Sequence, residues 1–404
     1  MVNDANLIPV RAGFIPLIDC APLIVAASEG FAAAHGIDLV LQRETSWANI
    51  RDKVAVGHLD VAHMLAPMPI AQNLGLGPLP APMIAPMALG SGVNTMTVSR
   101  ALQQDLAANG VTMTTSVGAR ARAIAELATV YAARPGGRLT FGIVHPHSMH
   151  FYELAYWLAS AGLAPQRDYA LAVVPPSLMA DALASGQIDG FCVGEPWGSV
   201  AVSRGVGEIL VTKNEIWAGG PEKVLGMRAD WAMANETTLR AVLQAVYHAC
   251  VWCDAPENAG RVAALLSAPQ YLDQPGAVLE RALQVPPDKT APRPLRFAAQ
   301  GATFPWVSHA LWIYAQMLRF GQTEHGSAHI AAVSTTYRPD LYRSAIAPLG
   351  IAVPSANAKI EGALDAPSAV ASANGRLFLG PDCFFDGRQF DPHALEAYLA
   401  NPTA

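Results

Sequence analysis

The sequence predicts an α/β protein of two lobes, with a hinge and a ligand cleft between them. Three observations predict this: two runs of alternating strand and helix patterns, two extended connections between the runs, and a large apolar reserve. Of 404 residues, 52% are hydrophobic and 14% charged. That is ample apolar surface to offset chain entropy, which excludes disorder, and the length exceeds what one core usually organises.

In the first run, Leu7–Leu17 reads as a strand, Ala21–His35 as an apolar helix closed by Gly36, and Ile37–Glu44 as a second strand. Trp47–His58 is an amphipathic helix and Leu59–Leu65 a third strand. This βαβαβ order predicts parallel pairing with right-handed crossovers. The second run repeats the grammar: strand Arg138–Val144, helix Ser148–Ala161, strand Tyr169–Val174, helix Ser177–Gly186, strand Ile188–Gly194. Pro82–Ser99 and Val211–Asp230 read as extended segments at lobe edges. Two crossings imply that a second lobe, residues 98–222, is inserted into the first, residues 1–97 and 223–300. Residues 301–404 then wrap back over the lobes, after Pro-containing junctions from Val285 to Pro305. Ligands of such folds sit between lobes, against strand carboxyl ends and helix amino ends.

Composition narrows the function. With 26 basic and 32 acidic residues the net charge is −6, and without a basic stripe direct nucleic-acid contact is not expected. Apolar runs such as Cys20–Ala27 end well short of the roughly 18 residues that span a membrane. Met1–Val10 has no Lys or Arg, and Arg11 and Asp19 interrupt the next apolar run, so no secretory signal and a cytoplasmic location are expected. Five cysteines, an odd count without framework spacing, suit a reducing compartment. Cys250 and Cys253 have a redox-like spacing but close a helix instead of opening one, so a packed pair is expected. Neither a Walker loop nor a G-x-S-x-G elbow is present, and no cofactor or enzymatic role is expected.

Three segments carry polar candidates. His145-Pro146-His147-Ser148-Met149-His150 joins a strand to a helix, and reads as a metal site, as a capped turn, or as an anion site using helix N–H groups and an imidazole donor. Gly194-Glu195-Pro196-Trp197 also opens a helix, with Glu195 as its capping or lobe-bracing carboxylate. Lys223, one of only five lysines, precedes a strand at the proposed hinge and by itself would be a surface charge.

Together, several segments resemble one family. TSWANIRDK at 45–53, DVAHMLAPMP at 60–69, SMH at 148–150 with YWLA at 156–159, VGEPW at 193–197 and PEKVLGMRADW at 221–231 are similar to the nitrate- and bicarbonate-binding proteins of the NrtA/CmpA type. The likeness runs from about residue 8 to 350 and includes His309–Trp312 and Gln316–Arg319. It implies the periplasmic-binding-protein-like (type II) form of the two-lobed α/β fold. It also implies oxyanion contacts from Trp47, Asn94, His150 and Lys223, where Asn94 stands in place of a glutamine in nitrate binders. His63, Pro67, Ser148, Gly194 and Glu195 lie in or beside the shared motifs as cleft-lining residues.

Nitrate accepts hydrogen bonds only, so a wall of donors with one positive charge favours it, with nitrite next. The hydroxyl of bicarbonate would be left unpaired there, at a cost of about 1–3 kcal/mol. Most of the family serve transport, but the resemblance includes a cytoplasmic form, the NasS-type nitrate/nitrite sensor. It holds an RNA-binding antiterminator with an ANTAR domain, of the NasT type, inactive until ligand binds. With no export signal expected, the sensor reading is preferred. The rivals are a substrate-binding component of an ABC transporter for nitrate or bicarbonate, and an enzyme of the thiamine-precursor type on the same fold.

Overall fold

The computed structural model describes residues 7–112, 114–133, 137–283 and 295–400. The alternating patterns become two five-stranded sheets. The first is built from β1 (Ile8–Phe14), β2 (Ile37–Arg43), β3 (Val61–Leu65), β4 (Met83–Ala88) and β10 (Lys223–Arg228), in the order β2-β1-β3-β10-β4. The second contains β5 (Asn94–Ser99), β6 (Thr140–Ile143), β7 (Ala170–Val173), β8 (Gly190–Gly194) and β9 (Gly207–Thr212), in the order β7-β6-β8-β5-β9. The chain leaves the first sheet after Ala88, enters the second at Asn94, and returns to the first at Lys223.

The βαβαβ run pairs in parallel as expected, β1 lying between β2 and β3. The returning strands lie in the two segments expected to be extended. Not all of Pro82–Ser99 and Val211–Asp230 lies at sheet edges: β10 runs antiparallel between β3 and β4, and β5 antiparallel between β8 and β9. A strand arriving from the other lobe is paired on both sides, so its N–H and C=O groups are satisfied within the sheet. The predicted helix Ala21–His35 is two helices, Ala21–Ser28 and Phe31–Ala34, broken at Gly30, whose φ of 81° is left-handed.

One apolar cluster runs without a break from Ile15, Leu17 and Trp47 of the first lobe through Met96, Phe141 and Trp157 of the second to Trp312 in the helix Val307–Arg319. The lobes are therefore closed on each other. The backbone N–H of Ile18 donates to the carbonyl of Glu195 (2.8 Å), and Trp197 Nε1 to the carbonyl of Pro16 (3.0 Å). A second cluster covers the other face of the first sheet with the helix Glu236–Asp254, in which Cys250 and Cys253 are both buried. The tail packs on this body: Phe384 stacks on Trp217 at 4.6 Å, and Tyr156 donates to Asp386. Of the Pro-containing junctions expected from Val285 to Pro305, residues 285–294 lie outside the described residues. No helix among the described residues is long and apolar enough to cross a membrane.

Candidate functional site

Lys223 is the first residue of β10, where the second crossover ends, and its side chain is wholly buried. Nζ donates to Asp19 Oδ2 at 2.7 Å, and Asp19 Oδ1 meets His63 Nε2 at 2.9 Å. Asp19 lies in the turn Ile18–Cys20 that follows β1, and His63 on β3 beside β10, so adjacent parts of one lobe assemble this chain of contacts. Trp47 opens the helix Trp47–Ala55, whose amino end is fixed by Ser46 accepting the Asn49 N–H. Its indole lies 5.4 Å from the His63 ring and 5.9 Å from Lys223 Nζ.

The second lobe supplies the facing groups. Ser148 caps the helix Met149–Ala159, accepting the Phe151 N–H at 3.1 Å, which puts His150 in the first turn. Asn94, the first residue of β5, donates through Nδ2 to Glu153 on the same helix, and Glu153 is paired with Lys213 at 2.5 Å. Several buried polar atoms in this region have no hydrogen-bond partner: Trp47 Nε1, His63 Nδ1, both ring nitrogens of His150, Asn94 Oδ1 and Glu222 Oε2. An unmet buried polar atom costs about 1–3 kcal/mol, so this concentration marks a place built to meet something polar.

The charges follow from the contacts. Burial pushes the Asp19 carboxyl up, but Lys223 and His63 outweigh it and hold Asp19 well below the usual carboxylate range. Burial lowers His63 despite the pull of Asp19, and burial with Lys223 lowers His150 far more. Both imidazoles are thus neutral at pH 7. Facing ionised Asp19, His63 Nε2 carries the hydrogen, and Nδ1 is left as an acceptor. The amide of Asn94 likewise spends its N–H on Glu153 and leaves its oxygen bare. The expectation of a wall of donors alone is therefore corrected: Lys223, Trp47 and one nitrogen of His150 donate, while His63 Nδ1 and Asn94 Oδ1 accept.

A model of the NMT1-like family matches residues 3–267. The chain belongs to the NMT1-like family. Among its relatives it is 30% identical over 403 residues to the nitrate/nitrite binding protein NrtA of Synechococcus elongatus, covering 96% of this chain and 85% of that protein. It is 36% identical over 359 residues to the nitrate import ATP-binding protein NrtC of Synechocystis, covering 86% of this chain. The chain spans about half the length of NrtC and of the bicarbonate transport ATP-binding protein CmpC of Synechococcus elongatus. Its structure is similar over the whole of both chains to the crystal structure of the periplasmic nitrate-binding protein NrtA from Synechocystis PCC 6803, with a TM-score of 0.84 at 27% identity. The resemblance to the nitrate- and bicarbonate-binding proteins thus holds, and the fold is the two-lobed periplasmic-binding-protein-like form.

In this NMT1-like chain the remaining candidates fall into two groups. Gly194 pairs with Asn94 across β5 and β8, and a Cβ there would stand 3.2 Å from Leu17 and 3.4 Å from Asn94 Oδ1. Pro67 is buried at the start of the helix Pro67–Asn73, next to Ala66, whose N–H donates to the carbonyl of Glu222. Glu195 turns to its own helix, accepting the N–H and hydroxyl of Ser199, each at 2.9 Å; burial pushes its carboxyl up to about 7. The backbone N–H of His147 donates to His145 Nδ1 at 3.0 Å, and the His147 ring meets Gln322 Oε1 at 3.3 Å. Among the described residues no group of three or more His, Cys, Asp or Glu is placed to hold a metal ion.

Sequence reasoning missed Asp19, Glu153, Lys213 and Glu222. Asp19 had a signal: it is the lone charge between Arg11 and Glu29, in an otherwise apolar stretch.

Proposed function

We propose that this protein binds a small planar oxyanion, nitrate or nitrite, between its two lobes, and that it acts as a binding protein and not as an enzyme. The observation that carries the reading is the set of buried polar atoms, donors and acceptors, that lack hydrogen-bond partners around Lys223 where the lobes meet. Trp47, His150 and Lys223 supply hydrogen bonds and positive charge to the anion, and Asn94 closes the second-lobe side. Relatives matched over most of their length are nitrate/nitrite binding proteins, which supports this choice of ion. Isothermal titration of nitrate, nitrite and bicarbonate into the full chain tests it. Saturable binding of nitrate or nitrite is expected; no heat with either anion refutes it.

The finer proposal is a cytoplasmic sensor of the NasS type that, without ligand, sequesters an ANTAR-domain antiterminator of the NasT type. Ligand can release such a partner only by binding free sensor more tightly than the complex. A hundredfold difference corresponds to about 2.7 kcal/mol. Any RNA contact then belongs to the partner, and no membrane contact is needed. Gel filtration of sensor with antiterminator, with and without nitrate, tests this: a complex that ignores nitrate ends the release mechanism. The second reading, a component delivering the anion to an ABC transporter, is favoured by relatives that are import ATP-binding proteins. Nitrate-dependent association with transporter subunits would select it.

A further inference from the structure

Three carboxylates and two lysines are buried together at the lobe junction. Asp19 is paired with Lys223 and Glu153 with Lys213, whereas Glu222 is in no ion pair among the described residues. Its Oε1 accepts the backbone N–H groups of Gly92 (2.9 Å), Val93 (2.6 Å) and Asn94 (3.3 Å), all at the first crossover, while Oε2 has no partner. With His63 and His150 neutral, the ionised count is two positive against three negative when Glu222 is charged. A monoanion arriving beside Lys223 would add a second uncompensated negative charge in a region where charges are poorly screened.

We propose that anion binding is coupled to uptake of one proton at Glu222 Oε2, so that the site takes the anion and a proton together. This rests on the oxyanion reading of the site. The geometry provides for it: Oε1 keeps its three N–H bonds in either protonation state, and Oε2 is the oxygen left to carry hydrogen. The charged groups that act on Glu222 are Lys213 after β9, Lys223 on β10 and Glu153 on the helix Met149–Ala159. Asp19, which also acts on it, follows β1, and Cys192, whose thiol burial keeps protonated, lies on β8. Burial pushes the Glu222 carboxyl up and the two lysines pull it down; Glu153 and Asp19 raise it, and it settles at about 7. An anion nearby raises it further. Below pH 7 the proton is already in place and affinity is flat. Above pH 7 binding must recruit it, and the dissociation constant rises by up to tenfold per pH unit.

The test is calorimetric titration of nitrate into the full chain, at pH 6 and pH 8, in pairs of buffers that differ in ionisation enthalpy. Uptake close to one proton is expected at pH 8 and close to none at pH 6. Glu222→Gln retains an oxygen for the three N–H groups and cannot titrate, so it should bind nitrate without proton uptake and with one dissociation constant from pH 6 to 9. Wild-type binding with no proton uptake at pH 8 overturns the coupling and leaves the oxyanion reading standing. Uptake that persists in Glu222→Gln overturns the assignment to Glu222. Absence of nitrate binding at every pH overturns the oxyanion reading itself. If Glu222→Gln does not fold, wild-type uptake at pH 8 against pH 6 decides the matter.

Discussion

The protein buries two ionic clusters, and they are finished to different degrees. In the C-terminal region Lys359 lies between Glu361 and Asp382. Glu361 also accepts the Ser308 hydroxyl at 2.6 Å and faces His309 at 3.4 Å, and Asp382 accepts the Leu364 N–H. Its carboxylates have no loose oxygen, although neither ring nitrogen of His309 makes a hydrogen bond, and the cluster fastens the tail to the helix Val307–Arg319. The lobe-junction cluster around Lys223 leaves an indole N–H, an imidazole, an amide oxygen and a carboxylate oxygen without partners. Evolution can retain a buried charge either to hold a shape or to hold a ligand, and the two clusters differ in whether every carboxylate oxygen is met: all are met in the tail cluster, whereas Glu222 Oε2 is not.

Substitutions should break the two clusters differently. The largest effect is expected from Lys223→Met. Loss of a charge-assisted contact is worth about 1.5–3 kcal/mol, so nitrate affinity should fall at least tenfold, and orphaning Asp19 should cost a further ~3–5 kcal/mol of stability. Adding Asp19→Asn should restore much of the stability and none of the binding, as read by urea unfolding and calorimetry. Lys359→Met should destabilise by about 3 kcal/mol yet leave nitrate affinity within about twofold; a large loss of affinity would mean that the tail cluster belongs to the site.

The same contrast extends to pH. Burial opposes ionisation of Glu361, but His309 and Lys359 hold its carboxyl down at about 2. A carboxyl lowered on folding contributes stability above its unfolded value near 4.5, and that contribution is lost as pH falls from there towards 2. It amounts to on the order of 3 kcal/mol, so Glu361→Gln should flatten the acid limb of unfolding midpoints measured between pH 5 and 3. The smallest effect is expected from Gly194→Ala, where a methyl against Leu17 and Asn94 should weaken nitrate binding about fivefold, the equivalent of ~1 kcal/mol, with little change in unfolding midpoint.

The sequence made the two lobes legible because strand and helix periodicities are local, as are the Ser46 and Ser148 caps that set Trp47 and His150 at helix starts. The inner positions of β5 and β10 were not legible, since a continuous apolar run looks the same at a sheet edge as within it. The site was readable only in part for a similar reason. Lys223 meets Asp19 across 204 residues, Lys213 meets Glu153 across 60, and Glu222 reaches Val93 across 129. No periodicity records such meetings. Resemblance brought forward the residues that motifs share, and missed the carboxylates that decide the charge around them.

Trp217 lies in the second crossover, and more than stacking ties it to the tail. Ala218 donates its N–H to the carbonyl of Cys383, and Phe385 donates to that of Ile216. The second crossover thus carries a short splint made of the chain's own distal end. Parting the lobes about residues 213–222 would have to bend or drag that splint, so a change at the lobe junction would reach the exposed Cys383 and Asp386, far along the chain from Lys223.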